Sequence, residues 1–141
     1  MTNLQFFELH WLYDKYNYMK QTHQHIPNTK KWKFIDDICL TYENSEHLEQ
    51  DIKDTDLAYI QNCIIPGFLK QMTDGEIRTF EFEKMMFLDK NPIENLRKSE
   101  ELNAKRKEEE KAELEKIEKE AQEYYASDFY QDIQNSYRAI R

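Results

Sequence analysis

The side chains that could do chemistry are few in this 141-residue sequence, and their spacing suits a reactive site poorly. His23-Gln24-His25 comes closest to a metal-binding pair. Two histidines at positions i and i+2 cannot face the same side of a helix, and neither Cys-x-x-Cys nor His-Glu-x-x-His accompanies them. His10 stands four residues before Asp14, which predicts a surface pair rather than a general base. We therefore predict no metal site, no cofactor and no enzyme.

Motifs for nucleophiles and phosphates are missing as well. No serine lies in a Gly-x-Ser-x-Gly elbow, and Cys39 and Cys63 have no histidine near them in the sequence. With two glycines in all, the chain has neither a dinucleotide-binding fingerprint nor a P-loop, so no small-molecule substrate is evident. The cysteines have apolar neighbours, which predicts reduced, buried structural thiols.

Acidic residues are concentrated in the middle of the chain. Residues 43–91 carry eleven acidic and five basic side chains, a net charge of −6 within a total of −8. The series Asp51-x-x-Asp54-x-Asp56 resembles a calcium loop only loosely, because the central glycine and the distal glutamate are missing. This charge argues against direct nucleic-acid binding, which needs clustered Lys and Arg. The predicted acidic patch consists of Glu43, Glu46, Glu49, Asp51, Asp54 and Asp56.

The elements that would position these groups are predicted to be helices. Gly 2 and Pro 3 leave few tight turns, which favours an all-α fold over hairpins and sheets. Eight Phe, nine Tyr and two Trp supply large rings for a core despite a charged fraction of 34%. We predict a small aromatic-rich helical domain over residues 1–90, followed by a long charged helix with an amphipathic C-terminal segment over 91–141.

The cellular setting is inferred from what the sequence lacks. The N-terminal residues have neither a basic region nor a continuous apolar region of a signal peptide. No run approaches the roughly 18 apolar residues of a membrane span. We expect a cytoplasmic protein, in a host cytoplasm or assembled from it into a virus particle.

Within residues 1–90, apolar spacing places most of the helices. Leu4, Phe7, Trp11 and Tyr18 form one stripe of a helix over 3–20, widened by Phe6 and Leu12. A second helix fits 29–42, a third element begins near Ser45, and another begins at Asp54 or Thr55.

Two local features of this domain are less regular. Pro66-Gly67 must kink or stop the helix that begins at Asp54 or Thr55. Thr73-Asp74-Gly75 is the clearest turn in the chain. The alternation of Phe80 and Phe82 with charged residues in 76–84 suits a strand, but a helical stripe also fits. Because no partner strand is found, helix is favoured.

A charged helix is predicted to begin at Asn91-Pro92, with Asn91 as cap and Glu94 three residues later. It would run over 92–126, on the order of 50 Å at about 1.5 Å per residue. Its shaft, residues 92–113, lacks a coiled-coil seam and is laced by charge pairs four residues apart, such as Glu94 to Lys98. Three interpretations are open: a solvated helix of a compact bundle, a spacer whose tip binds another chain, or a disordered charged linker.

From residue 114 the helix acquires an apolar stripe, which we call the C-terminal stripe. Such a stripe needs a partner, which the core of the same chain, a second copy or another protein could supply. Its predicted contact residues are Leu114, Ile117, Tyr124, Tyr125, Phe129, Ile133, Tyr137 and Ile140.

Two functional hypotheses follow from this organisation. The first is a non-enzymatic structural or assembly protein that binds another protein or copies of itself. The abundance of Lys, Asn, Ile and Glu suggests a component of a bacteriophage particle. The alternative is an acidic inhibitor or accessory protein that binds a host or defence protein, with the acidic patch imitating the charge of a nucleic acid.

Overall fold

The computed structural model describes residues 1–125, and every regular element in that range is helical. This confirms the all-α prediction, and helix rather than strand over 76–84. The helices are α1 Asn3–Gln21, α2 Lys30–Asn44, α3 Leu48–Asp51, α4 Asp54–Tyr59, α5 Ile65–Gln71, α6 Asp74–Leu88 and α7 Pro92–Tyr125, with a π-helical turn at Ile60–Ile64 between α4 and α5.

The chain divides into two compact units, Met1–Glu100 and Glu101–Arg141. The first unit holds α1 to α6 and the first turns of α7. The described part of the second unit is the remainder of α7, residues 101–125, and every one of its residues is exposed.

Helix α1 is the centre of the first unit. Thr2 and Gln5 close a capping box at its start. Phe7, Glu8 and Leu9 are buried at three successive positions, which lie about 100° apart around a helix. Only a helix covered on several sides can bury three successive residues, and α1 packs against α2, α6 and the π-helical turn.

This central position corrects the predicted stripe of α1. Tyr18, expected in the core, is 56% exposed, whereas Leu9 and Tyr16 are buried although they lie outside the predicted stripe. A single amphipathic stripe describes a helix with one covered side. Because α1 is covered by α2, α6 and the π-helical turn, its buried surface is wider than that stripe.

Aromatic rings join the helices around α1. Trp11 meets Phe68 and Phe80 edge-to-face, with ring centroids 5.6 and 5.1 Å apart. Trp32 of α2 meets the same Phe68 at 5.8 Å, also edge-to-face. Edge-to-face contacts match the quadrupoles of the rings, and they stabilise the fold in addition to the burial of the ring surfaces. The aromatic residues therefore connect α1, α2, α5 and α6 in one core.

Pro66 does not stop the helix that contains it. The Ile65 N–H donates to the Ile60 carbonyl, one residue farther back than in an α-helix, and α5 then begins with Pro66 in its first turn. A proline in a regular helix lacks a donor and clashes with the preceding turn. A wider π-helical turn lies immediately before Pro66. Such turns accommodate a local interruption of the α-helical hydrogen-bond pattern.

The predicted turn at Thr73-Asp74-Gly75 is instead the start of α6. Thr73 is the N-cap: its hydroxyl accepts from the Glu76 N–H at 3.2 Å, and its own N–H donates to the Glu76 carboxylate at 3.2 Å. Asp74 and Gly75 belong to the first helical turn. The turn prediction missed this capping box because Thr, Asp and Gly are also common in turns.

Helix α7 begins at Pro92 as predicted, but its capping side chain comes from elsewhere. The Ile93 N–H donates to the side-chain oxygen of Asn3, 90 residues earlier, at 3.1 Å. Asn91 has a left-handed backbone, φ 49°, and Glu94 pairs with Lys98 at 3.2 Å instead of closing a capping box. The start of α7 is thus held by the start of α1.

We predict that Asn3→Ala destabilises the first unit by about 1 kcal/mol, the usual effect of losing a capping oxygen. Asn3→Asp keeps an acceptor and adds a negative charge at a helix N-terminus, so it should retain the stability. Urea unfolding gives the free energies, and amide exchange at Ile93 reports the cap itself. Asn17→Ala on α1 is the control. Equal protection of Ile93 in all variants would contradict the assignment.

A second prediction concerns Glu8, which is 4% exposed. Burial raises its pKa from 4.5 to about 6, with Lys84 opposing the shift. Because the folded state holds the proton more tightly, this contribution to stability is full below pH 4.5 and is lost as the pH rises through about 6. Glu8→Gln cannot ionise, so it should be more stable than the unchanged chain at pH 7 by about 1 kcal/mol.

The measurement is the free energy of unfolding at intervals between pH 4 and pH 7.5, with Glu83→Gln as a control at an exposed position. The difference between the Glu8 variant and the unchanged chain should grow with pH, while the control should stay level. A constant difference across this range would show that burial of Glu8 does not control its ionisation.

Candidate functional site

His10 lies in a cluster of ionisable side chains in the first unit, together with Tyr42 and Asp14. Its Nδ1 is 2.8 Å from the Tyr42 hydroxyl, and its Nε2 is 3.2 Å from an Asp14 carboxylate oxygen. The predicted pair of His10 and Asp14 is therefore present. The imidazole also stacks on Phe87, with ring centroids 5.6 Å apart. Both ring nitrogens therefore have partners within the chain, Tyr42 on α2 and Asp14 on α1.

The ionisation of Tyr42 agrees with a structural role. Burial raises the pKa of Tyr42 to about 12, and the negative charge of Asp14 adds to the effect. A phenol with such a pKa stays protonated near neutral pH and can donate steadily to His10 Nδ1. The cluster connects α1 with α2 and positions one side of α6 through Phe87.

His23 and His25 lie exposed in the segment between α1 and α2. His23 has a left-handed backbone, φ 54°. Among residues 1–125, no three His, Cys, Asp or Glu side chains are grouped so that they could hold a metal ion.

The two cysteines differ from each other, which corrects one expectation. Cys39 is buried as predicted, and burial raises the pKa of its thiol to about 12. Cys63 is exposed, although Ile64 and Ile65 beside it are buried. Cys63 lies in the π-helical turn, where successive residues point in different directions, so apolar neighbours in sequence do not establish burial.

The predicted acidic patch is partly engaged in contacts within the fold. Glu49 forms a paired contact with Arg97 at the start of α7, at 2.8 and 3.1 Å. These hydrogen bonds hold the pKa of Glu49 below its usual value. Asp51 accepts from the Ser45 hydroxyl at 2.6 Å. Glu49 and Asp51 therefore have partners that fix their positions.

The other four members are Glu43 and Glu46, both exposed, and Asp54 and Asp56 in the first turn of α4. Carboxylates in a first helical turn interact favourably with the partial positive charge of the helix N-terminus. Thus α4 has a local reason for its two aspartates. Glu43, in the last turn of α2, lacks this explanation.

The described members of the C-terminal stripe all lie on α7 and are exposed. Leu114 is 66% exposed and Ile117 is 55% exposed, while Tyr124 and Tyr125 contact each other with centroids 5.8 Å apart. At about 100° per residue these positions fall within an arc of roughly 100° on one side of the helix. The remaining members, Phe129, Ile133, Tyr137 and Ile140, lie outside the described residues.

An additional apolar surface lies on α6, and it was not predicted. Phe82 is 59% exposed, Met85 60% and Met86 45%. These three residues lie within roughly 100° of one another around the helix. We call them the α6 apolar face. The predicted stripe of α6 identified the covered side, including the buried Phe80, so its remaining large apolar residues were the signal for a second surface.

Comparisons with known protein families, curated proteins and solved structures found no match to this chain. None of the helices described for residues 1–125 has both the length and the apolar character needed to cross a membrane.

We predict that Glu49→Gln lowers stability at neutral pH by a small amount. The pKa of Glu49 is lower in the folded state than its value of 4.5 in the unfolded state. The carboxylate therefore stabilises the fold fully above pH 4.5, and this stabilisation is lost as the pH falls through the folded-state pKa. The variant and the unchanged chain should therefore converge in acid. Unfolding curves at several pH values test this, with the exposed Glu43→Gln as control. A difference that persists in acid would indicate lost packing instead of a lost ion pair.

Proposed function

We propose that this chain is a non-enzymatic assembly protein that acts through protein–protein contacts, with the C-terminal stripe as its principal contact surface. The observation that carries the proposal is the exposure of Leu114 and Ile117 on one side of α7. The partner would supply a complementary apolar helix or groove, either from a second copy of this chain or from another protein.

The spacing of the stripe supports a helical partner. Leu114, Ile117, Ala121 and Tyr124 follow at intervals of three, four and three residues, the pattern of a coiled-coil seam. The residues before Leu114 lack such a seam, which is consistent with a solvated shaft that carries a contact region. Within the shaft, the predicted pair of Glu94 and Lys98 forms an ion pair at 3.2 Å.

The α6 apolar face gives the first unit a contact surface of its own. Phe82, Met85 and Met86 expose a phenyl ring and two flexible thioethers, and such residues recur at adaptable binding surfaces. A protein that joins components of an assembly needs contacts on more than one part of its structure. Here one apolar surface belongs to each compact unit.

The side chains of the first unit support a binding role more than a reactive one. Its His10 is engaged at both nitrogens, and the thiol of Cys39 is buried. The large apolar side chains left exposed on α6 and in the C-terminal stripe offer contact area to another molecule. A bacteriophage particle is the assembly proposed from the composition, and mass spectrometry of purified particles would test that setting directly.

We predict that Leu114→Lys combined with Ile117→Lys abolishes self-association or partner binding while leaving the first unit folded. Both side chains are exposed, so their loss removes contact area without opening a core. Light scattering after size exclusion measures the mass of the full chain. Affinity capture from producing cells, with mass spectrometry, identifies a different partner. Leu102→Lys is the matched control, since Leu102 is also exposed on α7 but lies outside the stripe.

The outcomes separate the candidate functions. Loss of association in the stripe variant but not in the control supports the proposed contact. A monomer of unchanged mass that retains every captured partner in the stripe variant contradicts it. If capture persists but is lost in high salt, the acidic-inhibitor alternative becomes the better account, because contacts between exposed charges are screened by salt.

A further inference from the structure

A pocket lies beside the connection between α1 and α2. Its volume is about 430 Å³, and it is open to solvent. It combines aromatic and apolar walls with two carboxylates. The lining residues are Tyr16, Ile26, Pro27, Asn28, Trp32, Lys33, Asp36 and Asp37.

The walls of the pocket are held by contacts within the core. The rings of Tyr16 and Trp32 are stacked, with centroids 6.3 Å apart and planes inclined by 27°. The Tyr16 hydroxyl donates to one Asp36 oxygen at 2.8 Å. Because Tyr16 is 5% exposed, this hydrogen bond comes from an almost immobile group and fixes the orientation of the carboxylate. The pocket is therefore preorganised on its aromatic side.

The charge of the lining points to a cationic ligand. Asp36 and Asp37 outnumber the single ammonium of Lys33 in the lining. Outside the lining, the ammonium groups of Lys20 and Lys31 lie over the Tyr16 and Trp32 rings, 4.9 and 5.8 Å from the ring centroids, so the aromatic side of the pocket already attracts cations of this chain. Neither aspartate forms an ion pair with any described residue, although Lys31 and Lys33 are close in sequence. A half-buried carboxylate gains from a cation that can also hydrogen-bond to it. An anionic ligand would instead meet two like charges.

The aromatic walls select among cations. A guanidinium group is planar, stacks on aromatic rings and donates two parallel hydrogen bonds to a carboxylate. A compact ammonium is more strongly hydrated and would have to leave water to enter between Ile26, Pro27 and Trp32. Asp36 still has an oxygen that does not accept from Tyr16, and Asp37 is exposed beside it.

We propose that this pocket binds a planar guanidinium cation through Asp36, with Asp37 assisting and with Tyr16 and Trp32 as aromatic walls. The cation can come from a free small molecule or from an arginine side chain of a protein. This site is independent of the C-terminal stripe and the α6 apolar face.

The experiment follows the indole N–H signals of the full chain by NMR during titration with phenylguanidine. Trp32 should shift in a saturable manner, and Trp11, which does not line the pocket, is the internal reference. A second titration uses the peptide acetyl-Gly-Arg-Gly-amide, with its citrulline analogue as a neutral control of the same shape. Binding of phenylguanidine alone indicates a small-molecule ligand, and binding of both shows that an arginine side chain also fits.

Asp36→Asn should weaken phenylguanidine binding at least about tenfold, because the amide keeps an acceptor for Tyr16 but loses the charge. Asp37→Asn should weaken it less. Asp89→Asn, which makes the same change outside the pocket lining, should leave it unchanged. If the amide spectrum shows that Asp36→Asn disturbs the fold, the affinity of Asp37→Asn for phenylguanidine is the test of the charge contribution. No Trp32 shift, equal binding of the citrulline peptide, or unchanged affinity in the charge variants would overturn the proposal.

Discussion

The fold depends on the burial of one helix on several sides. α1 buries Phe7, Glu8 and Leu9 in succession, and this is possible only because α2, α6 and the π-helical turn cover it together. Each of these elements in turn contributes buried apolar side chains to the one core cluster that surrounds α1. Burial of aromatic and branched side chains is the largest favourable contribution in such a small domain. The burial of Glu8 in this arrangement shows that coverage of α1 prevails over the solvation of a carboxylate.

Polar contacts then fix the ends of helices that are weak by themselves. α3 has only four residues and could not persist alone, since helix nucleation is costly. The Leu48 N–H at its start donates to Glu100 of α7 at 3.2 Å, while Glu49 in the same turn binds Arg97. These contacts and the Asn3 cap of Ile93 connect the first turns of α7 with α1 and α3. Residues distant in the sequence therefore stabilise the short helix α3 and the start of α7.

The proposal of a binding function rests on the distribution of side chains. His10 is engaged by Tyr42 and Asp14, and Cys39 is buried, whereas the thiol of Cys63 is exposed. Large apolar side chains on α6 and α7 are exposed to water. Their hydration is unfavourable, and they do not contribute to the core. The pocket beside Asp36 adds a polar form of recognition, because its carboxylates lack an ion-pair partner among the described residues.

Features that arise within one or two helical turns were predictable from the sequence. Scarce glycine and apolar spacing predicted an all-α fold, the approximate starts of α1, α2 and α7, and helix rather than strand over 76–84. The functional proposals were less accessible. The stripe at Leu114 was readable as a pattern, but the exposed face of α6 was identified only after its covered side was known.

Tertiary structure alone decided which sides of the helices are covered and which distant groups meet. It exposed Tyr18, buried Leu9, placed a π-helical turn before Pro66 and brought Asn3 to Ile93 across 90 residues. It also placed Tyr16 against Asp36 and so formed the pocket. Local propensity acts over three or four neighbouring residues, whereas burial and hydrogen bonding between helices depend on how the whole chain packs.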